Sequence, residues 1–302
     1  MDQSADIEIK DFRAGFVCVA GLPSCGKSSF INALAGIKLS AVSPKPQTTR
    51  EHIKAVINGK NYQAVIIDTP GLLTPKNLLE KKMSSEIKRA AFEDADIFCL
   101  MAEPNISKIK EKSAFYSSLP KEGKNLLLIN KIDVYDEKNI SETEKYFNSI
   151  LKFEKTLKIS AKTGENLALV KKEIIQMLPF SPPYYPQEQI TDRWERFFAA
   201  ELIRETIFEN YCDEIPYSCA VEITDFEENS VPIKIFADIH VSRETHKPIL
   251  IGQKGKAVKK LREVSAKKIS KFLGSNINLF LTVKVTKNWQ ENSKFLEKFY
   301  ER

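Results

Sequence analysis

The segment Gly21-Leu22-Pro23-Ser24-Cys25-Gly26-Lys27-Ser28 is the most informative guide to the architecture of the first half of the chain. It follows the apolar run Phe16–Ala20 and opens a helical pattern that ends near Leu34. The spacing GxxxxGK(S/T) is typical of a strand–loop–helix whose backbone N–H groups close around phosphate oxygens. All eight residues are therefore candidate nucleotide-binding residues. Lys27 is expected to reach the β- and γ-phosphates, and the Ser28 hydroxyl is expected to ligate Mg²⁺.

Apolar runs alternate with helical patterns through the rest of this half. The predicted strands are Ala64–Ile67, Ile97–Met101, Asn125–Ile129 and Thr156–Ile159, and the predicted helices are 77–94, 141–150 and 166–178. Runs that are apolar on both faces and joined by helices are typical of an α/β fold with a mostly parallel sheet covered by helices. Because loops at the carboxyl ends of such strands bind ligands, we expect functional residues to follow the strands.

The motif Asn130-Lys131-Ile132-Asp133 follows one of these strands and predicts which base is bound. Asp133 can accept two hydrogen bonds from guanine, through N1–H and the exocyclic amine. Adenine lacks matching donors and would leave the carboxylate unpaired, which is costly in a partly buried site. Lys131 is expected to lie along the base plane, and Asn130 is expected to tie this loop to the phosphate-binding loop.

The motif Ser160-Ala161-Lys162 follows the last predicted strand of this half. The Ala161 N–H can donate to guanine O6, so this loop would complete the recognition of the base. The phosphate loop and these two loops together predict a site for GTP and GDP, and the two guanine-reading loops disfavour a nucleotide kinase.

The motif Asp68-Thr69-Pro70-Gly71 follows the strand predicted at Ala64–Ile67. Asp68 is expected to hold Mg²⁺ through water, and the Gly71 N–H is expected to sense the γ-phosphate. Leu72 cannot hydrogen-bond an attacking water as the glutamine of many small GTPases does. We therefore expect nucleotide binding by 68–72 but slow intrinsic hydrolysis. A backbone group, a monovalent cation or a partner would have to orient the water.

Four prolines within 179–186 mark the clearest boundary in the chain. Because prolines cannot continue a helix or a central strand, they predict an extended linker over 179–190. The linker separates a nucleotide-binding domain at 15–178 from a smaller domain at 191–302, and 1–14 form an N-terminal extension.

The smaller domain has a different order of elements. We predict a helix at 191–210, strands at 217–224 and 232–241, helices at 246–251 and 256–273, a strand at 277–285 and a terminal helix from about Trp289. The order α-β-β-α-α-β predicts a small α+β domain. The apolar side of the first helix is expected to carry Trp194, Phe197, Phe198, Leu202 and Phe208.

Basic residues concentrate in this second domain. The whole chain carries +6 from 46 Lys and Arg against 40 Asp and Glu, whereas 241–290 alone contains 12 against 2. This excess indicates a polyanionic partner, although a solvated basic face would give the same count.

The loop Gly252-Gln253-Lys254-Gly255 lies within that basic segment, between two predicted helices. A GxxG loop in this position is similar to that of type II KH domains, in which bare backbone clamps about four nucleotides. The predicted RNA-binding residues are Gly252, Gln253, Lys254, Gly255, Lys256, Lys259 and Lys260, with Lys267, Lys268 and Lys271 further along the same basic helix. A protein-binding α+β domain is the alternative.

Composition excludes several classes of protein. At 302 residues, with 42% hydrophobic and 28% charged residues, the chain is long enough for two globular domains and is not a disordered or fibrous protein. No apolar run approaches the roughly 18 residues of a membrane span, and the acidic N-terminus does not resemble a secretory leader. Five cysteines without a CxxC pair are typical of reduced thiols, so we expect a cytoplasmic protein.

Together these motifs resemble the Era family of GTPases over about 15–289. The segment Pro46-Gln47-Thr48-Thr49-Arg50 is similar to the first switch of the family, and 77–96 is similar to its second-switch helix. The resemblance implies that Thr49 contacts Mg²⁺ and the γ-phosphate, with Thr48 as the alternative. The predicted catalytic residues are Lys27, Thr49 and Gly71.

The resemblance also implies a function and partners. Era-family proteins bind near the 3′ end of small-subunit (16S-type) ribosomal RNA and act in assembly of the 30S-type subunit, and we expect a monomer that uses GTP, GDP and Mg²⁺. Ser24 replaces the usual asparagine of the phosphate loop, which argues against K⁺ coordination there. Glu103 follows the Ile97–Met101 strand where relatives commonly have Asp.

Three further points stay open. The chain could be a GTP-loaded binding module that does not hydrolyse, or a peripheral regulator that holds its basic face against the inner side of the cell membrane. Trp289, which resembles the tryptophan that follows the last strand in the family, could stack on a base or pack inside the domain.

Overall fold

The computed structural model describes residues 11–40, 53–69, 75, 77–92, 95–116, 119 and 123–300. The chain divides into two compact units, with the main boundary between Asp192 and Arg193. The domain limits at 15, 178 and 191 stay predictions, although the first strand already begins at Arg13.

The first unit is built on a sheet. Its described strands are β1 (Arg13–Gly21), β2 (Ile53–Gly59), β3 (Tyr62–Asp68), β4 (Ile97–Ala102), β5 (Lys124–Ile129) and β6 (Lys155–Lys158). They lie in the order β2-β3-β1-β4-β5-β6, and neighbours are parallel except for β2, which is antiparallel to β3. Runs that are buried on both faces, such as 126–129, favour parallel strands here.

Helices alternate with these strands, as the sequence predicts. The described helices are α1 (Lys27–Ala35), α2 (Leu78–Phe92), α3 (Ile106–Lys110), α4 (Ser113–Tyr116), α5 (Glu137–Ile150) and α6 (Leu167–Met177). The Asp136 carboxylate caps α5 by accepting a hydrogen bond from the Asn139 N–H at 2.8 Å. This cap explains why α5 begins at residue 137 and not at the predicted 141.

The strand β2 is absent from the sequence prediction. It forms a hairpin with β3 in which Gly59 pairs with Tyr62. Alternating Ile53, Ala55 and Ile57, followed by the turn residues Asn58 and Gly59, are signals that could have revealed it. The sheet is therefore mixed at one edge and parallel elsewhere.

The segment 179–192, which we call the strap, is extended as predicted but is bound to the first unit along its length. The fully buried Gln63 holds its middle, because Gln63 Oε1 accepts from the Tyr184 and Tyr185 N–H groups at 2.7 and 2.9 Å. Further along, the Val56 N–H donates to the Ile190 carbonyl at 3.0 Å, and Thr191 bridges to Ala55.

The second unit is an α+β fold with the predicted order of elements, apart from a short helix over 215–218 that the sequence did not predict. Its first strand therefore begins at Cys219 and not at the predicted residue 217. Its described elements are α7 (Glu195–Asn210), α8 (Ile215–Ser218), β7 (Cys219–Glu227), β8 (Ile233–Val241), α9 (His246–Ile251), α10 (Lys256–Leu273), β9 (Ile277–Val285) and α11 (Ser293–Tyr300). The sheet order is β7-β8-β9, with β7 antiparallel and β9 parallel to β8. One face of this sheet packs against α7 and α10 through buried residues such as Val221, Ile239, Leu202, Leu261 and Ile269.

The prediction for the first helix of this unit was wrong at its start. The helix α7 begins at Glu195, because 191–192 belong to the strap. Trp194 precedes the first turn and is 86% exposed, so it is not part of the apolar face. Phe198, Leu202 and Phe208 are buried as expected, and Phe197 is half-buried.

Trp289 packs inside the second unit. Its ring is fully buried, and its Nε1–H donates to the Ser218 carbonyl at 2.8 Å. Packing explains this tryptophan, and the ring offers no face to a base.

Candidate nucleotide and nucleic-acid sites

The loops that follow β1, β3, β5 and β6 lie at one edge of the first sheet, because these parallel strands all end there. They carry the four predicted nucleotide motifs. Five of the predicted site residues lie outside the described part of the chain and are not placed: Thr48, Thr49, Pro70, Gly71 and Leu72.

The phosphate loop, Gly21–Ser28, leads from β1 into α1. Gly26 has φ of 103°, and a Cβ there would lie 2.2 Å from Asn130 Nδ2, so glycine is required at this position. The Lys27 side chain is buried, and its Nζ donates to the Gly21 and Leu22 carbonyls at 3.1 and 3.2 Å. The loop thus holds the lysine ammonium against its own backbone, beside the N-terminus of α1.

The middle of the phosphate loop is a tight turn. The Cys25 N–H donates to the Leu22 carbonyl at 3.4 Å, Ser24 has φ of 64°, and Pro23 is half-buried. Burial raises the pKa of the Cys25 thiol, so this cysteine fills space and is not a reactive thiolate.

Ser28 and Asp68 lie side by side. The Ser28 hydroxyl donates to Asp68 Oδ2 at 3.2 Å, and Asp68 is fully buried at the end of β3. The neighbouring Thr69 hydroxyl donates to the Val19 carbonyl at 2.8 Å and fixes the start of this loop. A hydroxyl and a carboxylate are the hard oxygen donors that Mg²⁺ prefers, so these residues fit a magnesium ion.

Asn130 joins three parts of the site. Its Nδ2 donates to the Cys25 carbonyl in the phosphate loop at 2.8 Å. Its Oδ1 accepts from the Ala161 N–H at 2.9 Å, so this N–H, predicted to bind guanine O6, is paired with Asn130 in the structure. One amide side chain therefore links the phosphate loop to both loops that are predicted to bind the base.

The two loops that are predicted to bind the base also contact each other directly. Asp133 Oδ1 accepts from the Ser160 hydroxyl at 2.7 Å, and the Ile132 N–H donates to the Ile159 carbonyl at 3.3 Å. Ser160 therefore holds the carboxylate that is predicted to bind guanine. Lys162 is exposed beside them.

Glu103 also lies at this site, although no sequence motif predicts a role for it. It follows β4, next to β5, and its Oε2 lies 2.7 Å from Lys131 Nζ. Its Oε1 accepts from the Tyr135 hydroxyl at 2.5 Å. The pairing depends on the neighbourhood of β4 and β5, which no local sequence pattern reveals.

The GxxG loop of the second unit connects α9 to α10. Gly252 has φ of 70° and ψ of 174°, and a Cβ there would lie 2.6 Å from the Ala257 Cβ, so only glycine fits. A single 3₁₀ turn covers Gln253–Gly255. This turn leaves the side chains of Gln253 and Lys254 exposed.

The predicted basic face of α10 is only partly available to a polyanion. Lys256, Lys259 and Lys260 are exposed beside the GxxG loop, and so are Lys267 and Lys271 further along. Lys268 is different, because its Nζ lies 3.1 Å from Glu205 and 2.7 Å from Glu209 on α7. Its charge is therefore already paired within the domain, whereas its place in the RNA-facing surface stays a prediction.

The structure also brings together three potential metal ligands in the second unit. The ligand atoms of Glu222, Asp238 and His240 lie within 4.8 Å of one another. The Lys284 ammonium lies 2.6 Å from Asp238 Oδ2, and His240 Nδ1 contacts the Thr286 hydroxyl at 2.8 Å. The protein's own lysine thus supplies a cation at this cluster.

Two family models match the chain. Residues 16–131 match the family described as 50S ribosome-binding GTPase, and residues 214–290 match the KH domain family. The predicted fold class, a P-loop GTPase domain followed by a KH domain, is confirmed. Among the helices that the structure describes, none is both long and apolar enough to cross a membrane.

Two relatives match nearly the whole chain, and both are GTPase Era. The chain is 43% identical over 297 residues to the GTPase Era of Elusimicrobium minutum, covering 96% of this chain and 97% of that protein. It is 36% identical over 289 residues to the GTPase Era of Clostridium botulinum, covering 95% and 97%.

Two solved structures of Era share the fold at 31% identity. One is a variant of the Aquifex aeolicus protein bound to GDP and AlF4⁻, with a TM-score of 0.87 over 95% of this chain and 99% of that one. The other is Era in complex with MgGDPNP and nucleotides 1506–1542 of 16S ribosomal RNA, with a TM-score of 0.90 over 95% and 98%.

Proposed function

Because the chain belongs to the Era family of GTPases, we propose that it binds the 3′ region of small-subunit ribosomal RNA through its KH domain and acts in assembly of the small ribosomal subunit. The observation that carries this proposal is the GxxG loop, in which Gly252 has a backbone conformation that only glycine fits and is followed by exposed lysines on α10. A loop of bare backbone followed by positively charged lysine side chains suits the phosphates of a single-stranded RNA. The complex of Era with the 3′ nucleotides of 16S ribosomal RNA supports the same partner.

In this proposal the nucleotide site works as a slow timer. Lys27 would pair with the β- and γ-phosphates, and Ser28 and Asp68 would hold Mg²⁺. The bound ion neutralises negative charge on the phosphates. Leu72 supplies no side-chain hydrogen bond to the attacking water, so intrinsic hydrolysis is slow. GTP would favour the RNA-bound state, and hydrolysis would release the RNA.

Asp133→Asn is expected to change which base is bound. The substitution replaces a carboxylate oxygen with an amide donor, which repels guanine's exocyclic amine but suits the C2 carbonyl of xanthine. We expect GDP affinity to fall by roughly two orders of magnitude and XDP affinity to rise. Competition of each nucleotide against a fluorescent GDP analogue measures both.

Ser160→Ala is the matched variant, because it removes the hydroxyl that holds Asp133 at 2.7 Å without touching the base-selecting carboxylate. It should weaken GDP binding modestly and leave the preference for guanine over xanthine intact. Unchanged guanine preference in Asp133→Asn would contradict the assignment of Asp133.

The proposed function is tested by salt-dependent binding of the full-length protein to an RNA that matches the small-subunit 3′ tail. Binding is measured with GDP and with a non-hydrolysable GTP analogue, beside a scrambled RNA. Phosphate release is followed with and without RNA, in Na⁺ and in K⁺. We expect tighter binding of the matching RNA with the GTP analogue, with affinity that falls steeply as salt rises.

Equal and weak binding of both RNAs in both nucleotide states would contradict the proposal. Sedimentation with anionic vesicles distinguishes a membrane partner, which would compete with RNA for the lysines of α10. GTP binding without measurable phosphate release under any condition would identify a binding module and not a working GTPase.

A further inference from the structure

Glu103 contacts Lys131 in the Asn130–Asp133 loop and Tyr135 just after it, and the three residues form a closed ring of contacts. Its Oε2 binds Lys131 Nζ at 2.7 Å, and its Oε1 accepts from the Tyr135 hydroxyl at 2.5 Å. The ring is completed through the backbone, because the Tyr135 N–H donates to the Lys131 carbonyl at 3.3 Å. Both carboxylate oxygens therefore contact this loop, and Lys108 Nζ lies farther away, 3.9 Å from the same Oε2.

The backbone of Lys131 is held in an unusual conformation by the same neighbours. Its φ of 68° lies in the left-handed region, which a lysine rarely adopts. The Lys131 carbonyl accepts hydrogen bonds from the Val134 N–H at 2.9 Å and from the Tyr135 N–H at 3.3 Å, and these two bonds fix the turn. With the ammonium fixed by Glu103, both ends of this residue are anchored.

The Glu103–Lys131 pair differs from an ordinary surface ion pair. The side chains are 13% and 32% exposed, and burial opposes ionisation of Glu103. Hydrogen bonds from Lys131 and Tyr135 outweigh that cost and lower the pKa of the carboxyl. By contrast, Glu137 meets Lys158 at 2.6 Å but is 74% exposed, where ion pairs contribute little.

We propose that Glu103 is a positioning residue for the guanine nucleotide, which holds the Lys131 side chain and the turn behind it ready for the base. The inference rests on the proposed guanine site and deepens it. Glu103 lies on the loop after β4, outside the four nucleotide motifs, and acts on the base through the position of Lys131. A lysine that is not held samples many rotamers, and binding must then order it. Because the Glu103 carboxylate already orders the Lys131 side chain, nucleotide binding does not have to order it.

The effect of Glu103 should therefore appear in binding and not in the chemical step. Glu103→Gln keeps the shape of the side chain and removes its charge. We expect GDP to dissociate roughly tenfold faster, with a KM for GTP higher by a similar factor and kcat within about twofold of the parent protein. Stopped-flow release of a fluorescent GDP analogue and steady-state hydrolysis measure these quantities.

A double-mutant cycle shows whether Glu103 acts through Lys131. In a Lys131→Met background, Glu103→Gln should change GDP dissociation less than twofold, because the residue that it positions is gone. An equal effect of Glu103→Gln in both backgrounds would overturn the proposal and indicate a role in general stability. Tyr135→Phe, which removes one hydroxyl, should give a smaller effect in the same direction and covers the case in which Glu103→Gln folds poorly.

Glu137→Gln is the matched control, because it removes a carboxylate from an exposed ion pair near the same loop. It should leave GDP dissociation unchanged. Tighter or unchanged GDP binding in Glu103→Gln, with the fold intact by circular dichroism, would also overturn the proposal. Failure of the parent protein to prefer guanine over adenine nucleotides would instead defeat the proposed function, so the two failures are distinct.

Discussion

Lys27→Ala is expected to lower kcat/KM for GTP hydrolysis by roughly two to three orders of magnitude, since a preorganised cation is lost from the phosphate site. The Lys27 ammonium lies 3.1 Å from the Gly21 carbonyl and 3.2 Å from that of Leu22, and the residue is only 6% exposed. The loop holds the charge in place before nucleotide arrives, so little reorganisation is needed on binding. Single-turnover phosphate release and GDP affinity measure the loss.

Lys60→Ala is the control for this prediction. Lys60 is an exposed lysine in the turn between β2 and β3, so its removal changes net charge by the same amount without touching the loop. The thermal stability of both variants is measured as well, because Lys27→Ala also leaves two buried carbonyls without their hydrogen-bond donor. Hydrolysis by a folded Lys27→Ala protein within tenfold of the parent would contradict the role given to this lysine.

Gly252→Asp is expected to weaken RNA binding by roughly two orders of magnitude, through backbone strain and through added negative charge. Gly252 has φ of 70° and ψ of 174°, and a Cβ would lie 2.6 Å from the Ala257 Cβ and 3.0 Å from its backbone nitrogen. The loop cannot keep its shape around a side chain. Binding to the matching RNA by fluorescence anisotropy measures the effect.

Two variants separate shape from charge. Gly252→Ala adds no charge but should lose most of the same affinity, because the methyl group alone meets Ala257. Gly255→Asn should keep most of the affinity. Its φ of 76° and ψ of 10° suit asparagine, and no atom lies within 4 Å of a Cβ there. Equal loss in Gly255→Asn and Gly252→Ala would show that the loop needs flexibility and not one specific shape.

The sequence was sufficient where function follows from a short contiguous motif. The phosphate loop and the Asn130–Asp133 loop each follow a strand, and parallel strands bring their carboxyl ends together without further information. The GxxG loop was found in the same way, because its glycines and its two flanking helices are adjacent in the chain. In each case the pattern itself specifies the local backbone.

The sequence was insufficient where a role depends on a distant partner. Glu103 pairs with Lys131 on the loop after the neighbouring strand, β5. The charge of Lys268 is paired with Glu205 and Glu209 on another helix. The first helix of the second unit was predicted to start at residue 191, among residues that pair with β2, and Trp194 was therefore wrongly assigned to its apolar face. Each of these outcomes depends on which elements are neighbours, and no local pattern contains that information.

The strap that runs along β2 also bears on solubility. An uncovered edge strand presents a row of N–H and C=O groups that can pair with a strand from another molecule and seed aggregates. Here the chain covers part of that edge itself, through Ile190, Thr191 and the Asp192 carboxylate, which accepts from the Lys54 N–H at 3.1 Å. A fragment that ends at residue 178 would uncover β2, so a nucleotide-binding domain cut at the predicted boundary would tend to self-associate, whereas one that ends at 192 would stay monodisperse.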